Sequence, residues 1–318
     1  MKALWLEDQE LSFRYDVPVP IPSQDEALIK VMLAGICATD LEQQSGYYPF
    51  RGVPGHEFVG IIEESVEQPV LIGQRVVGEI NIACGVCDLC KAGLDNHCKN
   101  RKVVGIRDHD GCFGEYLVLP IKNLHPVAEQ VPDEVAVFTE PIAAALQILE
   151  QVHIRPSDKV LIIGAGRLGQ LIARVVALIP CQVHVSTRYS SQEESLRKLG
   201  VQALNEGDLP TGTMDVVIEA TGSPKGFLTA TKAVKPRGTI VIKSTYKAPG
   251  EINLSPIVVN ENCIVGSRCG PFPPALQLLS EGIIDLSGLI SESYPINDGI
   301  QAYKKARDPG IFKVLLKM

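Results

Sequence analysis

Val160-Leu161-Ile162-Ile163-Gly164-Ala165-Gly166-Arg167-Leu168-Gly169 sets an apolar run against a glycine-rich turn, and the amphipathic stretch RLGQLIARVVALI follows at once. An apolar strand, a G-x-G-x-x-G turn and a helix in direct succession form a phosphate-binding unit for a dinucleotide. Gly164 permits the tight turn and Gly166 lets a pyrophosphate approach the backbone. Gly169 lets helix and strand pack closely, while Arg167 and Leu168 open the helix whose free N–H groups face the phosphates.

Downstream the same alternation continues. The runs VHVST, MDVVIEAT, GTIVIKS and CIVGSRCG read as strands, and SQEESLRKLG and PKGFLTATKAV read as the helices between them. Strands covered on both faces by crossover helices lose their polar alternation, so this texture predicts a doubly wound parallel sheet. After it, PALQLLSEG predicts a helix, and FKVLLKM a closing strand that returns to the first domain. Upstream of residue 140 the texture is different: EALIKVML, FVGIIEESV, GQRVVGEI and GEYLVLP are short β-prone runs separated by Gly, Pro and polar turns. PIAAALQILEQV has helical spacing and joins the two regions.

A chain of 318 residues, 45% hydrophobic and without repeats or low-complexity tracts, has room for two domains and a sizeable core. Its 30 basic against 37 acidic residues, a formal net charge of -7, give no global attraction to nucleic acid or to an acidic membrane surface. Arg167 and Arg174 interrupt the best apolar run before it reaches the roughly 18 residues needed to span a bilayer. Glu7, Asp8 and Glu10 stand where a signal peptide needs an apolar core, so an intracellular, cytoplasmic protein is expected.

Nine cysteines are an odd number, and four of them form Cys84-x2-Cys87-x2-Cys90-x7-Cys98. Without an export signal this spacing favours zinc over disulfides. Four thiolates fill a tetrahedron and leave no position for substrate, which predicts a structural ion. About 20 residues past the first glycine, an acid would hold the ribose 2′-OH of NAD. Here the strand ends in Ser186, Thr187 and Arg188, two hydroxyls and a guanidinium, which suit a 2′-phosphate and favour NADP. Cys37 in GICATD, His56 and Glu57 in PGHEFVG, and Glu140 before a proline are further ligand-type residues, although no local spacing joins them.

GICATD, PGHEFVG, the four-cysteine lobe, DGCFGEYLVLP, FTEPIAAAL, the glycine fingerprint and the closing KVLL resemble, in that order and over essentially the whole chain, the zinc-dependent medium-chain dehydrogenases. The polyol and threonine dehydrogenase branches are the most similar. The resemblance implies a doubly wound Rossmann domain at 142–271 and a mostly β, GroES-like catalytic domain split between 1–141 and 272–318. It implies two zinc ions per chain. Cys37 and His56 would bind the catalytic one, with Glu140 of the EP motif as third protein ligand and Glu57 beside the metal, exchanging with water.

Thr39 would start a proton relay from the substrate hydroxyl. Glu42 stands where many relatives carry a histidine at the relay's outer end. Lys313 would contact the cofactor diphosphate, and Lys243 occupies a position that is commonly small. The implied activity is hydride transfer between NAD(P) and an alcohol, a polyol or the corresponding carbonyl, in a homodimer or homotetramer. The competing reading is a non-catalytic NADP-binding redox sensor or partner platform on the same fold.

Overall fold

A computed structural model describes residues 1–46, 48–245 and 252–318. The chain divides into two compact units, Met1–Glu140 with Phe272–Met318, and Pro141–Pro271.

In the first unit, β1 (Ala3–Glu7) and β2 (Glu10–Arg14) pair as a hairpin. Then come β3 (Glu26–Ile36), α1 (Ala38–Gln44), β4 (Glu57–Ser65) and β5 (Arg75–Gly78). β6 (Asn81–Ile82) and β7 (Lys102–Val103) form a small ribbon that flanks the cysteine lobe, which contains α2 (Asp88–Lys91). β8 (Tyr116–Pro120), β9 (Leu124–Pro126) and α3 (Asp133–Ala136) follow, and α4 (Thr139–Gln151) runs across the division between the units.

The second unit holds β10 (Lys159–Ile163), α5 (Arg167–Val176), β11 (Gln182–Thr187), α6 (Ser190–Leu196), β12 (Gln202–Asn205) and β13 (Met214–Glu219). It continues through α7 (Pro224–Ala233), β14 (Val234–Ile242), α8 (Ser255–Val259) and β15 (Cys263–Gly266). The chain then re-enters the first unit with α9 (Phe272–Ser280), β16 (Ile290–Pro295), α10 (Gly299–Ala306) and β17 (Lys313–Lys317).

The second unit's sheet is wholly parallel, in the order β12-β11-β10-β13-β14-β15. Counted within the unit this is 3-2-1-4-5-6, the Rossmann order, and the strand order reverses between β10 and β13. The glycine turn leaves the C-terminal end of β10, at that reversal. Val160, Leu161, Ile162 and Ile163 of β10 are all buried, as a central strand covered on both faces requires. β12 was not anticipated: Gln202-Ala203-Leu204-Asn205 is a half-exposed edge strand too short and too polar for its period to show.

The first unit is built on a seven-stranded sheet ordered β16-β17-β3-β4-β5-β9, with β8 also paired to β3. β17 lies antiparallel to β3 and so completes the sheet of the N-terminal segment, as the closing KVLL motif predicted. β16, parallel to β17, and α10 are further elements that the sequence reading left unassigned. The fold is therefore mixed α/β: a Rossmann unit and a GroES-like β unit carrying a cysteine lobe.

Candidate active site

Three of the ligand-type residues converge. The donor atoms of Cys37, His56 and Glu57 lie within 4.8 Å of one another. Cys37 is the N-cap of α1, immediately after β3, and its extended backbone (φ -92°, ψ 162°) turns the chain from strand into helix. His56 precedes β4. The turn before it has Gly55 at φ +95°, a left-handed conformation that favours glycine. A Cβ at Gly55 would also come within 2.4 Å of the Phe113 ring. The 110–113 segment pins this turn, with Gly111 N–H donating to Val53 O at 2.6 Å, Cys112 N–H to Gly55 O and Phe113 N–H to Pro54 O, both at 3.0 Å. The DGCFGEY motif thus acts on the site by holding the histidine's backbone.

Asp40 was missed by sequence reasoning. It is fully buried one turn into α1, and its Oδ2 accepts the Cys37 N–H at 2.7 Å, one half of a capping box. Its Oδ1 lies 3.1 Å from His56 Nδ1, a buried ion-pair contact. Burial presses the imidazole toward its neutral form, but the Asp40 carboxylate and Cys37 outweigh it and raise its pKa well above the ordinary value. A carboxylate on Nδ1 sets the tautomer that leaves Nε2 for a metal. The available signal was the spacing Cys-x2-Asp at a helix start, which reads equally well as a simple cap.

Glu57 is also buried, and Lys313 meets its Oε2 as a buried ion pair. The sheet register explains the meeting. Glu57 stands opposite Gly35 of β3, while β17 pairs on the other side of β3 at the same level. A Cβ at Gly35 would come within 2.5 Å of the Glu57 carboxylate. Glu57 Oε1, by contrast, has no hydrogen-bond partner among the described residues. A buried carboxylate oxygen left open beside a thiol and an imidazole fits a metal ligand set. Cys112, buried behind these groups, donates its S–H to Glu57 O at 3.5 Å, and burial first, then Asp40 and Glu57, push its pKa well up, so it stays a neutral thiol.

One of these expectations needs correction. Lys313 does not present its ammonium for a diphosphate: it is 3% exposed and committed to Glu57. Glu140 sits half-buried in the first turn of α4 and is not among the three donors grouped within 4.8 Å of one another. Thr39, half-buried, has its Oγ1 3.8 Å from Cys37 Sγ. Glu42 lies on the exposed side of α1, whereas Asp40, Leu41 and Gln43 are buried.

Cys84, Cys87, Cys90 and Cys98 also form one cluster within 4.8 Å, and all are free thiols. Cys87 Sγ lies 3.5 Å from Cys90 Sγ and 3.8 Å from Cys98 Sγ. Backbone N–H groups of Cys90 and Lys99 aimed at Cys87 hold its pKa down to about 6. Those of Val86 and Cys87 lower that of Cys84. Burial and the neighbouring thiols push Cys90 up to about 12. Amides trained on sulfur favour thiolate, the form that binds zinc.

In the second unit each fingerprint glycine has a physical reason. Gly164 has φ +99°, and a Cβ there would meet Ala220 O at 2.9 Å. A Cβ on Gly169 would stand 1.8 Å from Gly164 O, so only glycine allows helix and turn to approach this closely. Gly166, the N-cap of α5, has open space around its missing Cβ, a cradle that a phosphate can enter. At the end of β11 the side chains turn differently from expectation. Ser186 and Thr187 are buried, and Thr187 Oγ1 donates inward to Leu204 O (3.3 Å) and Glu193 Oε1 (3.2 Å), so it is not free for a phosphate. Arg188 is more than half exposed and pairs with Glu206, an acid that the linear sequence does not place near it. Lys243 is resolved as a staple: its ammonium donates to Ala144 O (2.6 Å), Arg268 O (2.8 Å) and Ser267 Oγ (3.3 Å).

Comparison with known proteins agrees with this geometry. Residues 23–129 match the family model for an alcohol dehydrogenase GroES-like domain, and residues 168–281 match that for a zinc-binding dehydrogenase. The starvation-sensing protein RspB of Escherichia coli K12 is 31% identical over 313 residues, 92% of each chain. The chain belongs to the zinc-dependent medium-chain dehydrogenases. A sorbitol dehydrogenase of Halalkalibacterium halodurans is 29% identical over 94% of this chain and 93% of its own. Two solved structures superpose with a TM-score of 0.92 over 100% of this chain and 99% of theirs. One, 30% identical, is an rspB alcohol dehydrogenase of E. coli CFT073 complexed with NADH. The other, 29% identical, is a zinc-binding dehydrogenase of Sinorhizobium meliloti 1021 bound to NADP. This family member is thus an NAD(P)-dependent oxidoreductase of the alcohol dehydrogenase kind. No helix among the described residues is long and apolar enough to cross a membrane.

Proposed function

We propose that this dehydrogenase oxidises a polyol or related secondary alcohol, or reduces the matching carbonyl, with NADP preferred over NAD. The reading is carried by the convergence of Cys37, His56 and Glu57 in one buried cluster backed by Asp40. These three would hold a catalytic zinc, and Cys84, Cys87, Cys90 and Cys98 a structural one. A zinc ion bound there supplies a Lewis acid for the substrate oxygen. Asp40 fixes the imidazole, and Lys313 holds one oxygen of the Glu57 carboxylate while the second is left without a hydrogen-bond partner among the described residues. Thr39, two residues past Cys37, accepts the proton of the substrate hydroxyl and passes its own to solvent, with Glu42 exposed one turn further along α1. A nicotinamide dinucleotide, held by the glycine turn of the Rossmann unit, would supply the hydride acceptor.

The NADP preference rests on Arg188. Its partner Glu206 is an exposed single carboxylate, and such surface pairs contribute only about 0–1 kcal/mol, so a 2′-phosphate that takes Arg bidentately can displace it. The polyol class is supported by the sorbitol dehydrogenase relative, and a homodimer or homotetramer by the family resemblance.

The test is turnover of a panel of alcohols and polyols with each cofactor, together with metal analysis. Two zinc ions per chain are expected. Cys37→Ala should retain one of them and lose turnover about a thousandfold, as several kcal/mol of charge stabilisation disappear. Retained turnover in that variant would defeat the catalytic-zinc assignment. Arg188→Ala should weaken NADP about tenfold, the worth of one charge-assisted contact, and leave NAD nearly unchanged. Equal loss for both cofactors would defeat the phosphate reading.

A further inference from the structure

A buried polar network joins the two places where the Rossmann unit would grip a dinucleotide. Gln170, on α5 just past the fingerprint, is fully buried. Its Nε2 donates to Ala165 O, within the glycine turn, at 3.2 Å and to Gln192 O at 3.3 Å. Its Oε1 accepts from Arg174 Nη1 at 2.9 Å. Arg174, itself 4% exposed, also reaches Ser195 O (3.3 Å) and Ser195 Oγ (3.1 Å) through Nη2. Gln192, 8% exposed, stands at the third position of α6, and its Oε1 reaches back to accept the Arg188 N–H at 2.8 Å and the Tyr189 N–H at 3.3 Å. The connection therefore runs from the Ala165 carbonyl through the Gln170 side chain to the Gln192 main-chain carbonyl, and from the Gln192 side chain to the backbone of Arg188.

Local capping explains only part of this. A Gln at N3 ordinarily returns to the N-cap amide, here Tyr189. The shorter bond goes one residue further out, to Arg188, which a helix cap does not require. Burying a guanidinium and two carboxamides is also a poor way to stabilise a helix pair, since an apolar packing of the same volume is usually as stable or more so. What a fully bonded network supplies is a single position for the segments it joins.

We propose that Gln192, its carbonyl held by a Gln170 side chain that Arg174 braces, is a positioning residue for cofactor binding that sets the Arg188 backbone relative to the glycine turn, and so fixes the spacing between the pyrophosphate and adenosine-ribose sites. The inference rests on the dinucleotide placement given under Proposed function. It acts through Arg188 and the turn and involves no contact between Gln192 and the cofactor.

The experiment titrates NADPH and NADH by their fluorescence against the wild type, Gln192→Ala and Gln192→Glu, with thermal melts and steady-state kinetics alongside. Gln192→Ala loses two hydrogen bonds to the loop, so the dissociation constant for NADPH should rise about tenfold or more. The cofactor KM should rise with it, while kcat at saturating cofactor stays within about twofold, because the metal half is untouched. Gln192→Glu keeps an oxygen for both N–H groups and should restore affinity to within about threefold of wild type.

Unchanged NADPH affinity in Gln192→Ala overturns the proposal. So does a loss of affinity in Gln192→Glu equal to that of the alanine variant while its melting temperature matches wild type. A fall in kcat at unchanged cofactor KM overturns it as well. If the wild type binds both dinucleotides equally, the NADP preference fails by itself, and the positioning role stands only if Gln192→Ala weakens both. Failure of the wild type to bind either dinucleotide removes the placement and the inference together.

Discussion

The cysteine lobe at residues 84–98 and the cluster of Cys37, His56 and Glu57 both bring donor atoms within 4.8 Å of one another, yet by different means. In the lobe all four donors come from one short segment, and the local backbone aims its own N–H groups at the sulfurs. In the cluster the donors come from the start of α1 and the start of β4, and their support comes from farther still: Asp40 on α1, the 110–113 segment and Lys313 on β17. A local site can be read from spacing because the chain between its ligands is too short to do anything else. A dispersed site depends on sheet register, and its supporting groups carry as much of the design as its ligands.

This contrast can be broken by experiment. The largest effect should come from pairing His56→Ala with Cys98→Ser. The first should abolish turnover and release one metal with little change in melting. The second should release the other and lower the melting temperature by roughly 10 °C, at about 2–4 °C per kcal/mol and a loss of about 3 kcal/mol. Metal analysis and calorimetry would show the two sites to be alike if both variants lost the same property.

Lys313→Met tests the support from β17. It leaves the Glu57 carboxylate buried without its cation and should cost about 3–5 kcal/mol in the metal-free protein, read from urea unfolding. The double change with Glu57→Gln should recover most of that loss. Asp40→Asn should weaken zinc at the His56 site about 10–100-fold by chelator competition and leave the cysteine lobe at wild-type affinity.

The smallest effect is a rate difference within the lobe. Because backbone N–H groups hold the Cys87 thiol at about 6, it is mostly thiolate at neutral pH, whereas Cys90, near 12, is not. In zinc-stripped protein iodoacetamide should modify Cys87 before Cys90, with the Cys87 rate falling as the pH drops through about 6. Mass mapping of the alkylated peptides would show it, and equal rates for the two thiols would contradict the assigned backbone donors.

Legibility followed the same division. The glycine fingerprint was readable because Gly164, Gly166 and Gly169 each answer a demand set within a few residues: a left-handed turn, an open cradle, a close helix contact. The strand-helix alternation likewise revealed the doubly wound sheet, since burial on both faces shows in composition. Where the structure added a partner, that partner lay farther along the chain. Arg188 and Glu206 are 18 residues apart and meet because β11 and β12 pair in parallel. Thr187 turns inward to Leu204 for the same reason. Lys243, at a position that is commonly small, donates its ammonium to the Ala144 carbonyl, 99 residues away.

By itself, the order of residues determined the two-domain α/β plan, the cysteine lobe and the glycine turn between strand and helix. These are consequences of local sterics, short loops and side-chain chemistry. Only the tertiary structure decided that Cys37, His56 and Glu57 come together, that Asp40 and Lys313 meet them, and that Gln170 and Gln192 tie the glycine turn to Arg188. The physical reason is that a buried polar group must find a partner, and which partner it finds depends on the neighbour that sheet register and helix packing bring to it.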